Sequence, residues 1–245
     1  MQHEMIEVRT TDGSCPTHLF EPGRTGQHPG VMMFMDGLGI RPALFDMAAR
    51  LAAAGYCVIL PDLYYRSGYV VRDTATLFTD AAARADWSSR VMPTVSIPNI
   101  MRDMPALLAL LDARSTVTAG TIATTGYCLG GKLSLAAAGH FPDRVAAAAS
   151  YHGGQLATDA PDSPHLLAPV MKARIYVGGA TNDSGFDDAQ KQRLEVALTE
   201  SGVDHLIETY NARHGWVPSD TAAHDPVAAE RHWETLFALL KSLPS

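Results

Sequence analysis

The sequence contains few cysteines, and their spacing does not suggest a disulfide-bonded fold. Its 245 residues include three cysteines, Cys15, Cys57 and Cys128, and no two of them form a C-x-x-C pair. A disulfide framework is normally built from more cysteines in a shorter chain. Because unpaired thiols are typical of reducing compartments, we expect a cytoplasmic protein in which a reactive thiol stays usable.

The sequence also lacks an excess of basic residues and any long hydrophobic run. Its formal net charge is −7, which disfavours a nucleic acid or an anionic membrane surface as a partner. No apolar run approaches the roughly 18 residues that span a bilayer. The N-terminal residues show no basic region followed by an apolar one, so we expect no signal peptide.

Strand and helix patterns alternate along most of the chain. After an N-terminal hairpin that turns at Asp12-Gly13, apolar β-type runs alternate with amphipathic segments, the last of which covers residues 226–243 with Val227 and Trp233 on its inner face. Such alternation predicts an α/β fold with a mostly parallel sheet of about eight strands and helices on both faces. Residues 1–245 are therefore expected to form one domain, with 64–98 as a pocket-shaping insertion.

The most informative stretch is 121–139, TIATTGYCLGGKLSLAAAG. It combines a short strand, a glycine-rich corner and a helix, which is the pattern of a nucleophile elbow with Cys128 in place of the usual serine. Glycines two residues before and two after the nucleophile allow the strand and helix to approach closely. The positive end of the following helix would favour a thiolate. The alternative is a buried cysteine in a glycine-rich turn.

Candidate partners for Cys128 follow other predicted strands. In a parallel sheet the carboxyl ends of the strands share one edge, where ligands bind. Acyl transfer needs a nucleophile, a base, a group that orients the base and donors for an oxyanion. Cys128 is the candidate nucleophile, His214 the base and Asp183 the orienting acid, with the amides of Leu129 and Gly37 as oxyanion donors.

Two of these assignments leave alternatives open. His152 also follows a strand and is a rival base, although it comes earlier than the order nucleophile, acid, histidine requires. The acid has competitors in Asn182, Asp187 and Asp188. The last two are expected in the first turn of a helix, where carboxylates are common for other reasons.

With these residues identified, the chain resembles the dienelactone hydrolase family of α/β-hydrolases. The matching segments are 126–131 (GYCLGG), 61–66 (PDLYYR), 178–183 and 213–215 (RHG). The resemblance spans nearly the whole chain. It implies an α/β-hydrolase fold and a Cys128–His214–Asp183 triad that hydrolyses an ester or lactone, without a metal or an organic cofactor.

The chain departs from that family at two positions. Asp36 stands where the founding enzymes carry a glutamate that is thought to help ionise the thiol. Pro218 stands where those enzymes carry an arginine that grips a substrate carboxylate, and Arg66 is the candidate replacement cation. We therefore expect Asp36, Arg66, His152 and Trp216 to be substrate-binding or thiol-modulating residues.

The function predicted from the sequence is that of a carboxylic ester hydrolase acting on a small ester or lactone through an acyl-cysteine intermediate. Two alternatives remain, namely an acyl or thioester transferase with the same triad and a non-catalytic protein that binds a small molecule in the same cleft. The expected partner is the substrate alone, and the expected assembly is a monomer or homodimer.

Overall fold

A twisted sheet forms the centre of the molecule in the computed structural model, which describes residues 1–70 and 75–243. The strands are β1 (Gln2–Thr10), β2 (Gly13–Glu21), β3 (Gly30–Phe34), β4 (Cys57–Pro61), β5 (Ile122–Tyr127), β6 (Val145–Tyr151), β7 (Arg174–Ala180) and β8 (His205–Tyr210). Their order in the sheet is β1-β2-β4-β3-β5-β6-β7-β8. Strands β3 to β8 pair in parallel, whereas β1 and β2 are antiparallel. The predicted α/β fold is confirmed.

The helices cover both faces of the sheet. They are α1 (Pro42–Ala54), α2 (Thr76–Thr79), α3 (Ala81–Asp86), α4 (Ile97–Asp112), α5 (Leu129–His140), α6 (Asp188–Glu200) and α7 (Pro226–Leu240). Thr124 and Tyr127 lie three positions apart on β5 and therefore point to opposite faces. Thr124 contacts Ser134 of α5, and Tyr127 contacts His232 of α7. Helices α5 and α7 thus pack on opposite sides of the same strand.

Local features fix the ends of the helices, and one local prediction needs correction. Helix α4 begins at Ile97, because Ser96 caps it by accepting a hydrogen bond from the Asn99 amide and proline is tolerated in a first helical turn. Val227, expected on the inner face of α7, is 81% exposed because it lies on the same helix face as the exposed Glu230 and Arg231, whereas Ala228 and Ala229 of the same turn are buried. A 3-10 helix covers Pro164–Val170.

The described part of the segment expected to shape a pocket contains several short helical pieces before α4 begins. Helices α2 and α3 are followed by a π-helical turn at Trp87–Val91 and a 3-10 turn at Met92–Val95. Residues 71–74 of the predicted insertion lie outside the described residues. None of the helices in the described ranges is both long and apolar enough to cross a bilayer.

The carboxyl ends of the parallel strands meet at one edge of the sheet. Six loops leave this edge, after β3, β4, β5, β6, β7 and β8, and each carries one or more of the candidate site residues. Parallel pairing aligns the strand ends, so residues that are far apart in sequence become neighbours. The sheet therefore supplies the frame on which the site is assembled.

The junction between β5 and α5 depends on two glycines. A Cβ on Gly126 would lie 1.9 Å from the carbonyl oxygen of Gly130, and a Cβ on Gly130 would lie 2.4 Å from the carbonyl oxygen of Phe34 in β3. Both contacts are with backbone, which cannot move away as a flexible side chain can. The strand, the helix and the neighbouring strand can approach this closely only because these side chains are absent.

We predict that Gly130→Ala destabilises the fold by more than about 3 kcal/mol, because the new methyl group overlaps backbone of β3. Gly154→Ala is the matched control, since its Cβ would meet its nearest atom at 3.5 Å, an ordinary contact. The measurement is the free energy of unfolding from urea titration of both variants. Equal stability of the two variants would contradict the prediction.

Candidate active site

Cys128 lies between β5 and α5 in a strained backbone conformation. Its φ of 54° and ψ of −115° are unusual for a residue other than glycine. Its amide is shared between two acceptors, the carbonyl oxygen of Tyr151 and Nδ1 of His152, each at 3.0 Å. The side chain is only partly buried, and it stands at the N-terminus of α5, where the helix dipole favours an anion. These are the features expected of a nucleophile at an elbow.

His214 and Asp183 form a close pair beside this thiol. Nδ1 of His214 donates to Oδ2 of Asp183 at 2.7 Å, and Oδ1 of Asp183 accepts from the Gly185 amide at 2.9 Å. The aspartate side chain is 7% exposed and the imidazole 38%. Because Nδ1 is engaged, Nε2 is the nitrogen left to exchange a proton with the Cys128 thiol, which lies close enough to raise the pKa of the imidazole.

The electrostatics of the pair favour a protonated imidazole. Burial lowers the pKa of His214, but the hydrogen bond with Asp183, the charge of Asp183 and the neighbouring Cys128 sulfur together outweigh burial and raise that pKa from 6.5 to about 10. Burial raises the pKa of Asp183, but the hydrogen bond and the charge of His214, together with the Gly185 amide and Lys191, outweigh burial, and the net shift is downward. Asp183 is therefore ionised at neutral pH and holds the imidazole as a cation beside the sulfur.

The other candidate acids are used elsewhere. Asp187 accepts a hydrogen bond from the Gln190 amide and thereby caps α6, and Asp188 pairs with Lys191 on the surface. Asn182 lies next to Asp183 with a positive φ of 55°. Of these candidates, Asp183 is the residue that the structure brings to His214.

His152 is buried beneath the site rather than exposed in it. Its Nδ1 accepts from the Cys128 amide, its ring lies 5.3 Å from that of His214 and 4.9 Å from that of Trp216, and it is fully buried. Burial, followed by the neighbouring His214 and His232, lowers the pKa of His152 well below its usual range. An imidazole that is neutral and bound through Nδ1 to the elbow supports the site and does not face a substrate.

The two predicted oxyanion donors follow β3 and β5, which are neighbouring strands of the sheet. Leu129 is the first residue of α5, so its amide has no acceptor within the helix. Gly37 lies in the loop after β3, and within the described residues no acceptor binds its amide. Its carbonyl oxygen accepts a hydrogen bond of 2.6 Å from the Tyr64 hydroxyl, which in turn accepts one from Nε1 of Trp87 at 3.3 Å.

Tyr64 and Trp87 were missed as part of the site by reasoning from sequence. Tyr64 lies within the PDLYYR segment, but nothing in the sequence indicates that its hydroxyl reaches the loop after β3. Trp87 lies in the predicted pocket-shaping insertion, residues 64–98. Their contacts fix the peptide that follows Gly37 and form one side of the site.

The carboxylate of Asp36 is bound by a buried arginine. Nη1 of Arg41 donates to Oδ1 of Asp36 at 2.6 Å, and Nη2 donates to Oδ2 at 2.8 Å. The same guanidinium binds Asp220. The predicted thiol-modulating role of Asp36 therefore needs revision, because both of its oxygens are engaged by Arg41.

Arg66 and Trp216 also differ from expectation. The guanidinium of Arg66 forms hydrogen bonds with Asp103 at 2.6 and 2.8 Å and with Asp12 at 2.9 Å, so it is not available as a cation for a substrate. Trp216 is completely buried and stacks on Tyr210 with ring centroids 4.7 Å apart. It packs behind His152 and has no surface to offer a ligand.

A polar depression reaches the His214–Asp183 pair from the side of β7 and β8. It has a volume of about 590 Å³ and is lined by residues 181–184 and 211–214. Cys128 does not line it, so it is a route by which solvent approaches the pair rather than the place of an acyl group. Within residues 1–70 and 75–243, no group of three or more His, Cys, Asp and Glu side chains is arranged to hold a metal ion.

The chain is similar to known proteins over nearly its whole length. The model of the dienelactone hydrolase family matches residues 15–243. A carboxymethylenebutenolidase of Rhodococcus opacus is 26% identical, covering 94% of this chain and 87% of that protein. A Synechocystis sp. protein provisionally named carboxymethylenebutenolidase is 25% identical, covering 97% of this chain and 98% of that protein. A Klebsiella pneumoniae structure, provisionally named dienelactone hydrolase, shares the fold with a TM-score of 0.84 at 21% identity, covering 99% of both chains.

We predict that Asp183→Asn lowers the pKa of His214, because the neutral amide no longer stabilises the imidazolium. NMR titration of the imidazole Cε1–H should place the wild-type midpoint near 10 and the variant midpoint more than about one pH unit lower. Asp187→Asn, which keeps a good helix cap, is the control and should leave the midpoint unchanged.

The raised pKa of His214 also determines how the stability of the fold changes with pH. The pKa of His214 in the folded protein lies above 6.5, so its interaction with Asp183 contributes fully below that pH and is lost as the pH rises through about 10. Asp183→Asn should therefore cost more stability at pH 6 than at pH 10. An equal loss at both values would contradict the assignment.

Proposed function

Because this chain belongs to the dienelactone hydrolase family, we propose that it cleaves a small ester or lactone through an acyl-cysteine intermediate on Cys128. As a member of this family it is a hydrolase of carboxylic esters or lactones. The observation that carries the proposal is the 2.7 Å hydrogen bond between His214 and Asp183, beside a thiol at the N-terminus of a helix. In this scheme Cys128 is the nucleophile, His214 the proton carrier and Asp183 its orienting partner.

The first half-reaction forms the acyl-enzyme. The Cys128 sulfur attacks as the thiolate, with its proton on Nε2 of His214, and forms a C–S bond with the carbonyl carbon. The carbonyl oxygen becomes an oxyanion that accepts hydrogen bonds from the amides of Leu129 and Gly37. As the intermediate collapses, the C–O bond to the leaving group breaks, and that oxygen takes the proton from Nε2 of His214. From a lactone, the new hydroxyl stays attached to the acyl group.

The second half-reaction releases the acid. The now neutral His214 removes a proton from water, whose oxygen attacks the thioester carbon. The C–S bond then breaks and restores the thiolate beside a protonated imidazole. The partial exposure of His214 and the polar depression beside it leave the imidazole open to solvent, as this half-reaction requires.

The candidate cations for a negatively charged substrate are already engaged by other groups. Arg66 is occupied by Asp103 and Asp12, and Pro218 carries no charge. Lys132, one helical turn beyond the nucleophile, already donates from Nζ to Oε1 of Gln155 at 3.0 Å. We therefore propose that neutral esters or lactones are preferred over substrates with a free carboxylate near the scissile bond.

We predict that Cys128→Ala abolishes hydrolysis of p-nitrophenyl acetate, lowering kcat by at least about 10⁴-fold, as the loss of a triad nucleophile does elsewhere. Cys15→Ala is the matched control. It removes a buried thiol whose pKa is raised to about 12, chiefly by burial, so full activity is expected. Circular dichroism verifies that both variants fold.

Mass spectrometry of His214→Ala after brief exposure to the ester should show an acetyl group on the peptide that contains Cys128. Undiminished turnover in Cys128→Ala would refute the proposal.

We predict that an ester with an uncharged acyl chain is hydrolysed faster than one whose acyl chain ends in a carboxylate. The kcat/KM for p-nitrophenyl valerate should exceed that for mono-p-nitrophenyl glutarate by at least about tenfold. The two acyl chains have equal length, but the second ends in a carboxylate, and Arg66 and Lys132 are already engaged by Asp103, Asp12 and Gln155 and so do not replace the water around it. Lys132→Met should change the two values by the same factor. A selective loss of the glutarate ester in this variant would instead identify Lys132 as a carboxylate-binding residue.

A further inference from the structure

We propose that Arg41 is a positioning residue that holds the Gly37 amide in place for the oxyanion by clamping the loop after β3 to the loop after β8. The inference rests on the proposed function, since it assumes that an oxyanion forms beside Cys128. It assigns Asp36 a role different from the one that its position in the sequence suggested, because Asp36 becomes part of the clamp rather than a modulator of the thiol.

Two carboxylates and one carbonyl oxygen accept hydrogen bonds from the guanidinium of Arg41. Besides the paired contacts with Asp36, Nε of Arg41 donates to Oδ2 of Asp220 at 2.7 Å and Nη2 donates to Oδ1 at 3.1 Å. Nη1 also donates to the carbonyl oxygen of Gly39 at 3.0 Å. The Arg41 side chain is 4% exposed. Planar forked contacts of this kind fix orientation as well as distance.

One end of the clamp fixes the loop that contains Gly37. Asp36 precedes Gly37 directly, and its Oδ1 also accepts from the Leu38 amide at 3.0 Å. The Gly39 amide donates to the carbonyl oxygen of Asp36 at 3.1 Å, which closes a turn around Gly37. Because the Gly37 amide belongs to the peptide that begins at Asp36, anchoring the Asp36 side chain and the turn limits how far that N–H can swing.

The other end of the clamp lies on the loop that follows His214. Asp220 is 36% exposed at its side chain. The neighbouring Thr221 hydroxyl donates to the carbonyl oxygen of Gly215 at 2.8 Å, so the segment from His214 to Asp220 folds back on itself. The ion pair therefore joins the loop that carries one oxyanion donor to the loop that carries the proton carrier.

The two roles for Asp36 predict different chemistry. Attack on an ester generates an oxyanion and needs the Gly37 amide, whereas alkylation of the thiol by iodoacetamide is a displacement at a saturated carbon and generates none. A clamp variant should therefore lose ester hydrolysis and keep alkylation. A variant that disturbs ionisation of the thiol should lose both.

The experiment compares Asp220→Ala and Arg41→Lys with the wild-type protein. Asp220→Ala leaves Asp36 paired with Arg41 and removes only the link to the second loop; Arg41→Lys keeps the buried charge and loses the fork. We expect kcat for p-nitrophenyl acetate to fall about 10- to 100-fold in each, with KM changed less than about threefold, because loss of one oxyanion donor costs about 10²- to 10³-fold. The rate of Cys128 alkylation and its pH profile should stay within about twofold of wild type.

Arg50→Lys is the matched control. Arg50 also forms a forked ion pair, with Glu230, but it is exposed and joins α1 to α7 away from the site. Both rates should be unchanged in this variant. Circular dichroism establishes folding; if Arg41→Lys does not fold, Asp220→Ala alone decides the matter.

Two results would overturn the inference. One is a parallel fall of alkylation and ester hydrolysis, which would show that the ion pairs act on the thiol. The other is wild-type ester hydrolysis in folded Asp220→Ala, which would show that the second loop is not needed. Failure of the proposed function would give a different result, namely undiminished ester hydrolysis by the Cys128→Ala variant.

Discussion

The close approach of β3, β5 and α5 is the constraint on which the rest of the site depends. Gly126 and Gly130 leave no side chain between the strand and the helix, and the chain must therefore reverse direction at Cys128. The reversal costs backbone strain, visible in the positive φ of Cys128. In return the sulfur stands clear of the sheet at the end of a helix whose free amides and dipole favour negative charge.

Contacts beneath and beside the elbow fix the groups that act on this sulfur. His152 supports the Cys128 amide from below and lies against the ring of His214, while Asp183 fixes the orientation of that ring. On the other side Tyr64 holds the carbonyl of Gly37. The site is thus built less from residues that face the substrate than from buried polar groups whose hydrogen bonds restrict one another.

The chemistry-bearing residues found by sequence reasoning share one property. Cys128, Asp183 and His214 each follow a strand within a few residues, and the parallel sheet aligns those strand ends. The structure brings the three together, although their roles in catalysis stay a proposal. Asp36 and Arg66 were misjudged because the sequence shows a charge but not its partner. Asp220 binds Arg41 from a distant part of the chain, and Asp103 binds Arg66 from helix α4.

The sequence by itself determined the strand and helix alternation, the parallel sheet, the elbow and the family, because these depend on local periodicity and on glycines at fixed spacing. It also determined which residues stand at the strand ends. Only the tertiary structure decided which charges are neutralised, that His152 is buried rather than exposed, and that Arg41 joins two loops of the site. Those outcomes depend on contacts between segments far apart in the chain, and burial and pairing of a charge are properties of its surroundings rather than of its own position in the sequence.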